Sequence, residues 1–488
     1  MSVIISVLKS YRLYIIVACL LGVFIRLYGL DIQGLWFDEL VMSFAGVSHD
    51  PEMLKNLSIN DLHPPLYLLF LYNWIQIFGS SEIIIRLPSA IAGILAIVFM
   101  YILSKEIFNR YIAASATILI SLSNAAIYYS QEARNYSFVL LFSTILTLYW
   151  LNLLKKINKS EITIKEFIIY ALICIFTSYL HYFGALIVAF QLVYLFIVSI
   201  KTKSYIKEIL VLGLIVAFVF LPWVFKHYSY IKVIGNGQFW IPKPDIINIG
   251  SLLDFVFNIK LIIFLFIPFL ISLFKKEFLL KIEQIDMADP PVALLYISLV
   301  PVLAVFLISQ FVPVFYPRYF IVILPSAYLL ISILISFNPS FNGIKSTIYV
   351  FVISLVSLFL FLFVPGNNIS ESNKTFYQLY KQQWREASKY VMDNYTDKTV
   401  IFADRHPFLY AYYFNRFKKN PDNIKINYYN FPIIEKDLDI LNEQFDRLYF
   451  FSTFEQVPQI MISSLEKRCK RYEKKDFSDI FVYECVLK

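Results

Sequence analysis

The 488-residue sequence predicts an all-α polytopic membrane domain, with about eleven transmembrane helices and an interfacial helix in the first external loop, followed by a small C-terminal α/β soluble domain. Three observations predict it. Hydrophobic residues make up 59% of the chain and charged residues only 16%, whereas soluble domains average nearer a quarter charged. The apolar residues come in blocks of roughly 17–24, the length that crosses about 30 Å of hydrocarbon as a helix, while a strand barrel would alternate instead. After Pro365 the composition returns to that of an ordinary soluble protein.

The apolar blocks fall near residues 12–30, 82–104, 111–128, 136–154, 164–180, 183–200, 206–225, 251–274, 291–313, 317–337 and 344–364. The segment Pro65–Gly79 is apolar too but short, and it carries Asn73 and Gln76. If it lies flat in the interface, Lys9/Arg12, Lys105/Arg110, Lys155/Lys156/Lys159, Lys201/Lys203, Lys275/Lys276/Lys281 and Lys345 collect on one side. That side is then the cytoplasm by the positive-inside rule; if the segment crosses, the lysine-rich loops face outward. The flat reading puts the N-terminus in the cytoplasm. It leaves the loop 31–64, the tips at 130–135, 181–182, 226–250 and 314–316, and the tail outside the cell membrane. The first span carries Arg26 and shows no small-residue cleavage site, so it reads as an uncleaved anchor. The expected division is a membrane domain over 1–364 and an extracytoplasmic domain over 365–488.

The net charge of +8 does not call for a nucleic-acid partner, because most of the lysines sit in the orienting loops. In the tail, β-like runs at Thr399–Phe402, Arg447–Ser452 and Asp479–Cys485 alternate with helical stretches at Tyr377–Asn394 and Pro458–Lys467. Of four cysteines, Cys19 and Cys174 fall within spans and read as packing residues. Cys469 and Cys485 lie in the external tail, where a disulfide is permitted; two unpaired thiols are the alternative.

Ionisable residues at membrane depth are costly, so those near the external face form a short list of candidates. Asp38-Glu39 follow the first span; one of two adjacent carboxylates in an apolar setting can serve as a general base, and a solvated loop is the alternative. His63 follows Asp61 and precedes two prolines that fix the entry of the next helix; it is a hydrogen-bond donor at the surface or an incidental helix start. Arg86, in Arg86-Leu87-Pro88-Ser89, either snorkels or meets an anionic phosphate by paired bonds. The tip Tyr128-Tyr129-Ser130-Gln131-Glu132-Ala133-Arg134-Asn135-Tyr136 holds an acid and a base two positions apart, which is a local ion pair or part of a site. His181-Tyr182 and Tyr316-Pro317-Arg318-Tyr319 complete the set. Trp36, Trp223 and Trp240 read as aromatic-belt anchors. No phosphate-cradling glycine loop, zinc-ligand spacing or Gly-x-Ser-x-Gly elbow occurs, which counts against ATP-driven transport and serine-hydrolase chemistry.

These motifs, taken as an ordered set over Met1 to Pro325, resemble the pattern of the C-type (GT-C) glycosyltransferase superfamily, and within it the relatives of protein O-mannosyltransferases and of lipid A aminoarabinose transferases. The resemblance rests on Phe37-Asp38-Glu39, His63-Pro64-Pro65-Leu66, Arg86-Leu87-Pro88-Ser89, Ser130 to Tyr136, and Pro317-Arg318-Tyr319. It implies a glycosyltransferase that moves a hexosyl or pentosyl sugar from a polyprenyl-phosphate carrier to a hydroxyl of a protein, lipid or glycan on the non-cytoplasmic face, with inversion. Asp38 matches the family's catalytic aspartate, and Glu39 would orient the acceptor or the loop. His63, Arg86, Glu132, Arg134, His181, Tyr182, Arg318 and Tyr319 would line the donor and substrate site. Related transferases carry a second aspartate in a Leu-Asp-Pro-Phe-like stretch. Here Asn135-Tyr136-Ser137-Phe138 stands in its place and the nearest acid is Glu132, so no metal or other cofactor is assigned. A transporter or lipid flippase is the competing class, but it would show two related halves and charges near the midplane. A non-catalytic assembly protein is the third.

Overall fold

The computed structural model describes residues 10–61, 63–157, 159–226, 240–258, 260, 261, 263–265, 267, 286–336, 338, 341, 343–366, 369, 373–403, 407–417, 426–428, 444–454 and 459–487. The described chain divides into two compact units. One comprises Met1–Tyr28, Asn56–Phe70 and Arg86–Phe376; the other comprises Gly29–Lys55, Leu71–Ile85 and Tyr377–Lys488.

Helices dominate the first unit. Seven of the described helices are long and apolar enough to cross a membrane, and a bent pair, Arg110–Ser121 with Asn124–Ser130, makes an eighth. The helices Tyr11–Leu27 and Ile164–Leu180 have 17 residues each, at the short end of the spanning range. The count is therefore seven or eight by length and composition, with these two at the margin, where the sequence predicts about eleven. The expected span 251–274 accounts for part of the difference. Its described start belongs to a helix Ile246–Phe257, which Asn258 ends with a positive φ of 59°. The rest of that span beyond residue 267, Lys9, Lys275, Lys276 and Lys281, and 227–239 of the expected tip, lie outside the described residues. This is a multi-pass membrane protein.

The segment of ambiguous topology forms a helix Leu66–Phe78 of 13 residues. At 1.5 Å per residue it is about 20 Å long, short of the hydrocarbon thickness.

At the centre of the first unit is the helix Arg110–Ser121, in which every residue from Ile112 to Ser121 is buried. Its run Ala113-Ala114-Ser115-Ala116 is small enough for neighbouring backbones to approach closely, the packing that membrane helices favour. The helices Tyr11–Leu27, Leu324–Ser336 and Ile344–Phe363 pack on it. It stops at Leu122, and the chain restarts after Ser123, whose hydroxyl accepts from the Ala126 N–H at 3.1 Å, bending the path by 49°. A break at membrane depth must satisfy the carbonyls it frees. Arg26, fully buried, does so: its guanidinium donates to Ser121 O at 2.8 Å, Ile120 O at 3.0 Å and Gly22 O at 2.9 Å. The expected span 317–337 likewise opens as a 3₁₀ helix, Pro317–Ile323, before the α-helix Leu324–Ser336 begins.

The second unit is a mixed sheet with flanking helices. Strands β1 (Thr399–Ala403), β2 (Ile426–Tyr428), β3 (Arg447–Thr453), β4 (Cys469–Asp476) and β5 (Ile480–Leu487) lie in the order β2-β1-β3-β5-β4. β1 runs parallel to β2 and β3, while β5 is antiparallel to β3 and β4. β1, β3 and β5 match the three strands expected from sequence. The expected helix 377–394 is trimmed to Trp384–Asp393, which buries Trp384, Ala387, Ser388 and Val391 on one stripe. The helix Gln459–Arg468 coincides with the second helical stretch, whose first residue, Pro458, lies outside the described residues. The helix Pro407–Phe417 and strands β2 and β4 were not foreseen. A core of Val400, Leu448, Phe450, Leu465 and Tyr483 closes over the Cys469–Cys485 disulfide, whose Cα atoms are 5.4 Å apart. The loop 31–64 folds as two helices, Phe37–Val47 and Pro51–Asn60.

Candidate active site

The polar groups expected at the external face of the first unit assemble around Tyr136, the first residue of the helix Tyr136–Ile157. The bend after Ser121 and the short helix Asn124–Ser130 deliver the tip 131–135 to this place. The tip is then anchored on three sides. Gln131 Nε2 donates to Ile25 O and Tyr28 O at 2.5 and 2.8 Å. Asn135 Nδ2 donates to Leu180 O at 2.6 Å. Ser89 Oγ donates to Arg134 O at 3.2 Å. Glu132 and Arg134 are both buried within it.

Arg318 reaches the same place from the 3₁₀ turn. Its guanidinium carbon lies 5.8 Å from the Tyr136 ring centroid, 5.5 Å from Trp240, 5.0 Å from Tyr316 and 5.7 Å from Tyr319. Arg134 stands 6.0 Å from the same Tyr136 ring. Rings hold a guanidinium by its flat faces, while its N–H donors lie in the guanidinium plane and suit carboxylate or phosphate oxygens.

Two histidines complete the cluster. The His181 ring lies 5.6 Å from His63, 5.9 Å from Tyr136 and 5.2 Å from Tyr319. Burial pushes His181 well below the usual histidine range, and the charges of His63, Arg134 and Arg318 add to it. Its Nδ1 accepts from the Phe183 N–H at 3.0 Å, so the neutral ring carries its proton on Nε2. His63 faces Asp61, whose Oδ1 accepts from the His63 backbone N–H at 2.8 Å and lies 2.9 Å from Nδ1. Burial works to raise the Asp61 carboxyl, but its bonds to His63 and the charges of His63 and Arg134 outweigh that and bring it down to about 2. Asp61 is thus a carboxylate that orients His63.

Of the residues expected from sequence, the structure brings His63, Arg134, His181, Arg318 and Tyr319 together. Glu132 lies close enough to act electrostatically on Tyr129, as Arg318 does. Tyr182 opens the helix after His181, and the Asp61 charge acts on it. Arg86 is buried one turn before Ser89 on the helix Glu82–Ile107. Asp38 and Glu39 open the helix Phe37–Val47 and belong to the second unit. Glu39 is buried, and its carboxylate accepts from the Trp36 N–H at 3.2 Å, which ties up the entry to that helix. Trp240, expected as a belt anchor, lies against Arg318. Asp61 was not singled out from sequence, although its position two residues before His63 was the signal. Among the described residues, no group of three or more His, Cys, Asp or Glu stands where one metal ion would bind them.

This fold is similar to that of solved ArnT structures. ArnT from Cupriavidus metallidurans in the apo state superposes at a TM-score of 0.57 and 9% identity, covering 96% of this chain and 97% of that one. ArnT from the same organism bound to undecaprenyl phosphate gives 0.57 and 10%, covering 97% of each. The Archaeoglobus fulgidus oligosaccharyltransferase in its apo form gives 0.49 and 12%, covering 97% of this chain and 74% of that one. By sequence, residues 62–225 match the family described as dolichyl-phosphate-mannose-protein mannosyltransferase. The matched stretch contains His63, Arg86, Glu132, Arg134, His181 and Tyr182. No curated protein matches the chain in sequence. The likeness to ArnT covers nearly the whole chain, and the family match covers residues 62–225 within it.

Proposed function

We propose that the protein transfers a sugar from a polyprenyl-phosphate-linked donor to an acceptor hydroxyl on the non-cytoplasmic face of the cell membrane, inverting the anomeric carbon. The observation that carries this reading is the cluster of two arginines and two histidines around Tyr136, where the Arg318 guanidinium lies over aromatic rings and neutral His181 presents an Nε2–H. A phosphate leaving group is the anion that such a donor set suits.

Asp38 acts as the base. It takes the proton of the acceptor hydroxyl as that oxygen attacks the anomeric carbon from the face opposite the phosphate. The bond from carbon to phosphate oxygen breaks, its electron pair stays on the phosphate, and polyprenyl phosphate leaves. Arg134, Arg318, His63 and Arg86 offset the charge that develops on the phosphate, and His181 donates a hydrogen bond to it. Glu39 holds the start of the helix that bears Asp38. Apolar surface between the spans receives the prenyl chain. The N-terminus is cytoplasmic, and residues 365–488 lie outside.

The test is release of polyprenyl phosphate by the purified full-length protein given a radiolabelled polyprenyl-phosphate sugar. Asp38→Asn should insert and melt like wild type yet lose transfer; retained transfer would remove Asp38 from the base role. Labelling of cysteines placed at 38 and 132 should find both accessible from outside, and opposite sides would end the proposal.

A further inference from the structure

Within the second unit, C-terminal residues hold the chain on either side of the turn that leads into the Asp38 helix. The Arg385 guanidinium is committed along its whole edge. Nη1 donates to Asp31 O at 2.7 Å and to Glu82 Oε2 at 3.0 Å, Nη2 donates to Ile32 O at 2.6 Å, and Nε donates to Glu386 Oε1 at 2.9 Å. The other Glu82 oxygen accepts from Tyr413 OH at 2.7 Å, and that phenol oxygen accepts from the Leu35 N–H at 2.5 Å. Gln382 Oε1 accepts from the Phe37 N–H at 3.0 Å, satisfying one of the donors that the first turn of the helix Phe37–Val47 leaves open. In return Gln33 Oε1 accepts from the Tyr380 and Lys381 N–H groups at 3.4 and 3.1 Å. Between them Gly34 is enclosed: a Cβ there would stand 3.0 Å from the Arg385 Cβ and 3.1 Å from the Tyr413 oxygen.

Four of these bonds end on backbone between Asp31 and Phe37, and Asp38 is the next residue. We infer that Arg385, Glu82 and Tyr413 are positioning residues, and that the C-terminal segment serves catalysis by fixing the direction in which the Phe37–Val47 helix presents Asp38. The inference rests on the transferase reading above, with Asp38 as its base. A segment used only for acceptor selection would have no need to grip this backbone. Four of these bonds involve charged groups that are wholly or partly buried, where hydrogen bonds are strongest and most costly to lose.

The test uses the full-length protein in detergent with a polyprenyl-phosphate sugar and compares Tyr413→Phe, Arg385→Ala and Arg385→Lys with wild type. Tyr413→Phe deletes one oxygen and is the variant that keeps the fold. It should lower kcat at least about tenfold while donor KM stays within about twofold, because a displaced general base slows chemistry and not donor binding. Amide exchange over 31–40 should rise about tenfold in the same variant. Arg385→Ala should do both more strongly, and Arg385→Lys should recover part of kcat by keeping the charge beside Glu82. Unchanged kcat in Tyr413→Phe, or unchanged exchange over 31–40, would overturn the inference. A wild-type protein that transfers from no polyprenyl-phosphate sugar sinks the parent reading and takes this one with it. A changed KM with unchanged kcat would point to acceptor or donor selection and overturn positioning alone.

Discussion

His181 and Asp61 show how burial sets the chemistry of single residues. His181 is neutral with its proton on Nε2 because Nδ1 is spent on the Phe183 N–H. His181→Ala should therefore weaken transfer by about 10²-fold, the cost of one well-placed donor, with little change between pH 6 and 8; a steep change over that range would mean a titrating group instead. Asp61 has the opposite sign. Its carboxyl titrates at about 2 against an ordinary 3.8, so the stability it contributes is complete above about pH 4 and is lost as pH falls through about 2. Asp61→Asn should cost about 1–3 kcal/mol of stability, as judged by thermal melts in detergent. The polar candidates other than Asp61 were legible from sequence because charged residues are sparse in an apolar chain. Their roles were not. Glu39 reads from sequence as half of an acidic pair, yet its carboxylate is engaged with the Trp36 N–H.

Among the elements, the broken helix shows what pattern alone misses. Residues 111–128 read as one continuous apolar block, but the structure ends one helix at Ser121 and starts another at Asn124. The signal was present in Ser123-Asn124-Ala125-Ala126, a serine able to cap a new start, though hydrophobicity masked it. Arg26 is the companion surprise. An arginine at membrane depth usually marks a functional site, whereas this one closes the carbonyls of Ile120 and Ser121. Gly22 allows that approach, since a Cβ there would stand 2.6 Å from Ser121 O. Gly22→Val should force these helices apart and lower stability by about 1–3 kcal/mol, measured as a fall in melting temperature. It should also reduce transfer, because Gln131 hangs from Ile25 O on the same helix.

For the whole molecule, the disulfide offers a separate handle. Cys469 and Cys485, 16 positions apart, join neighbouring strands β4 and β5. A Cys469→Ser/Cys485→Ser double variant should destabilise the sheet by about 2–4 kcal/mol. Binding of polyprenyl phosphate, which the proposed mechanism assigns to residues of the first unit, should persist; its loss would show that the phosphate site needs the tail. The sequence by itself determined a multi-pass helical protein with a small α/β domain toward its C-terminal end, because crossing hydrocarbon demands long apolar helices whatever their neighbours are. It also marked the polar residues from which the site is built. Only tertiary structure decided that Tyr136 and Trp240 meet Arg318, and that Tyr413 and Arg385 grip the turn before Asp38. Those partnerships join residues far apart in the chain, and periodicity and composition carry no information about which distant side chains meet.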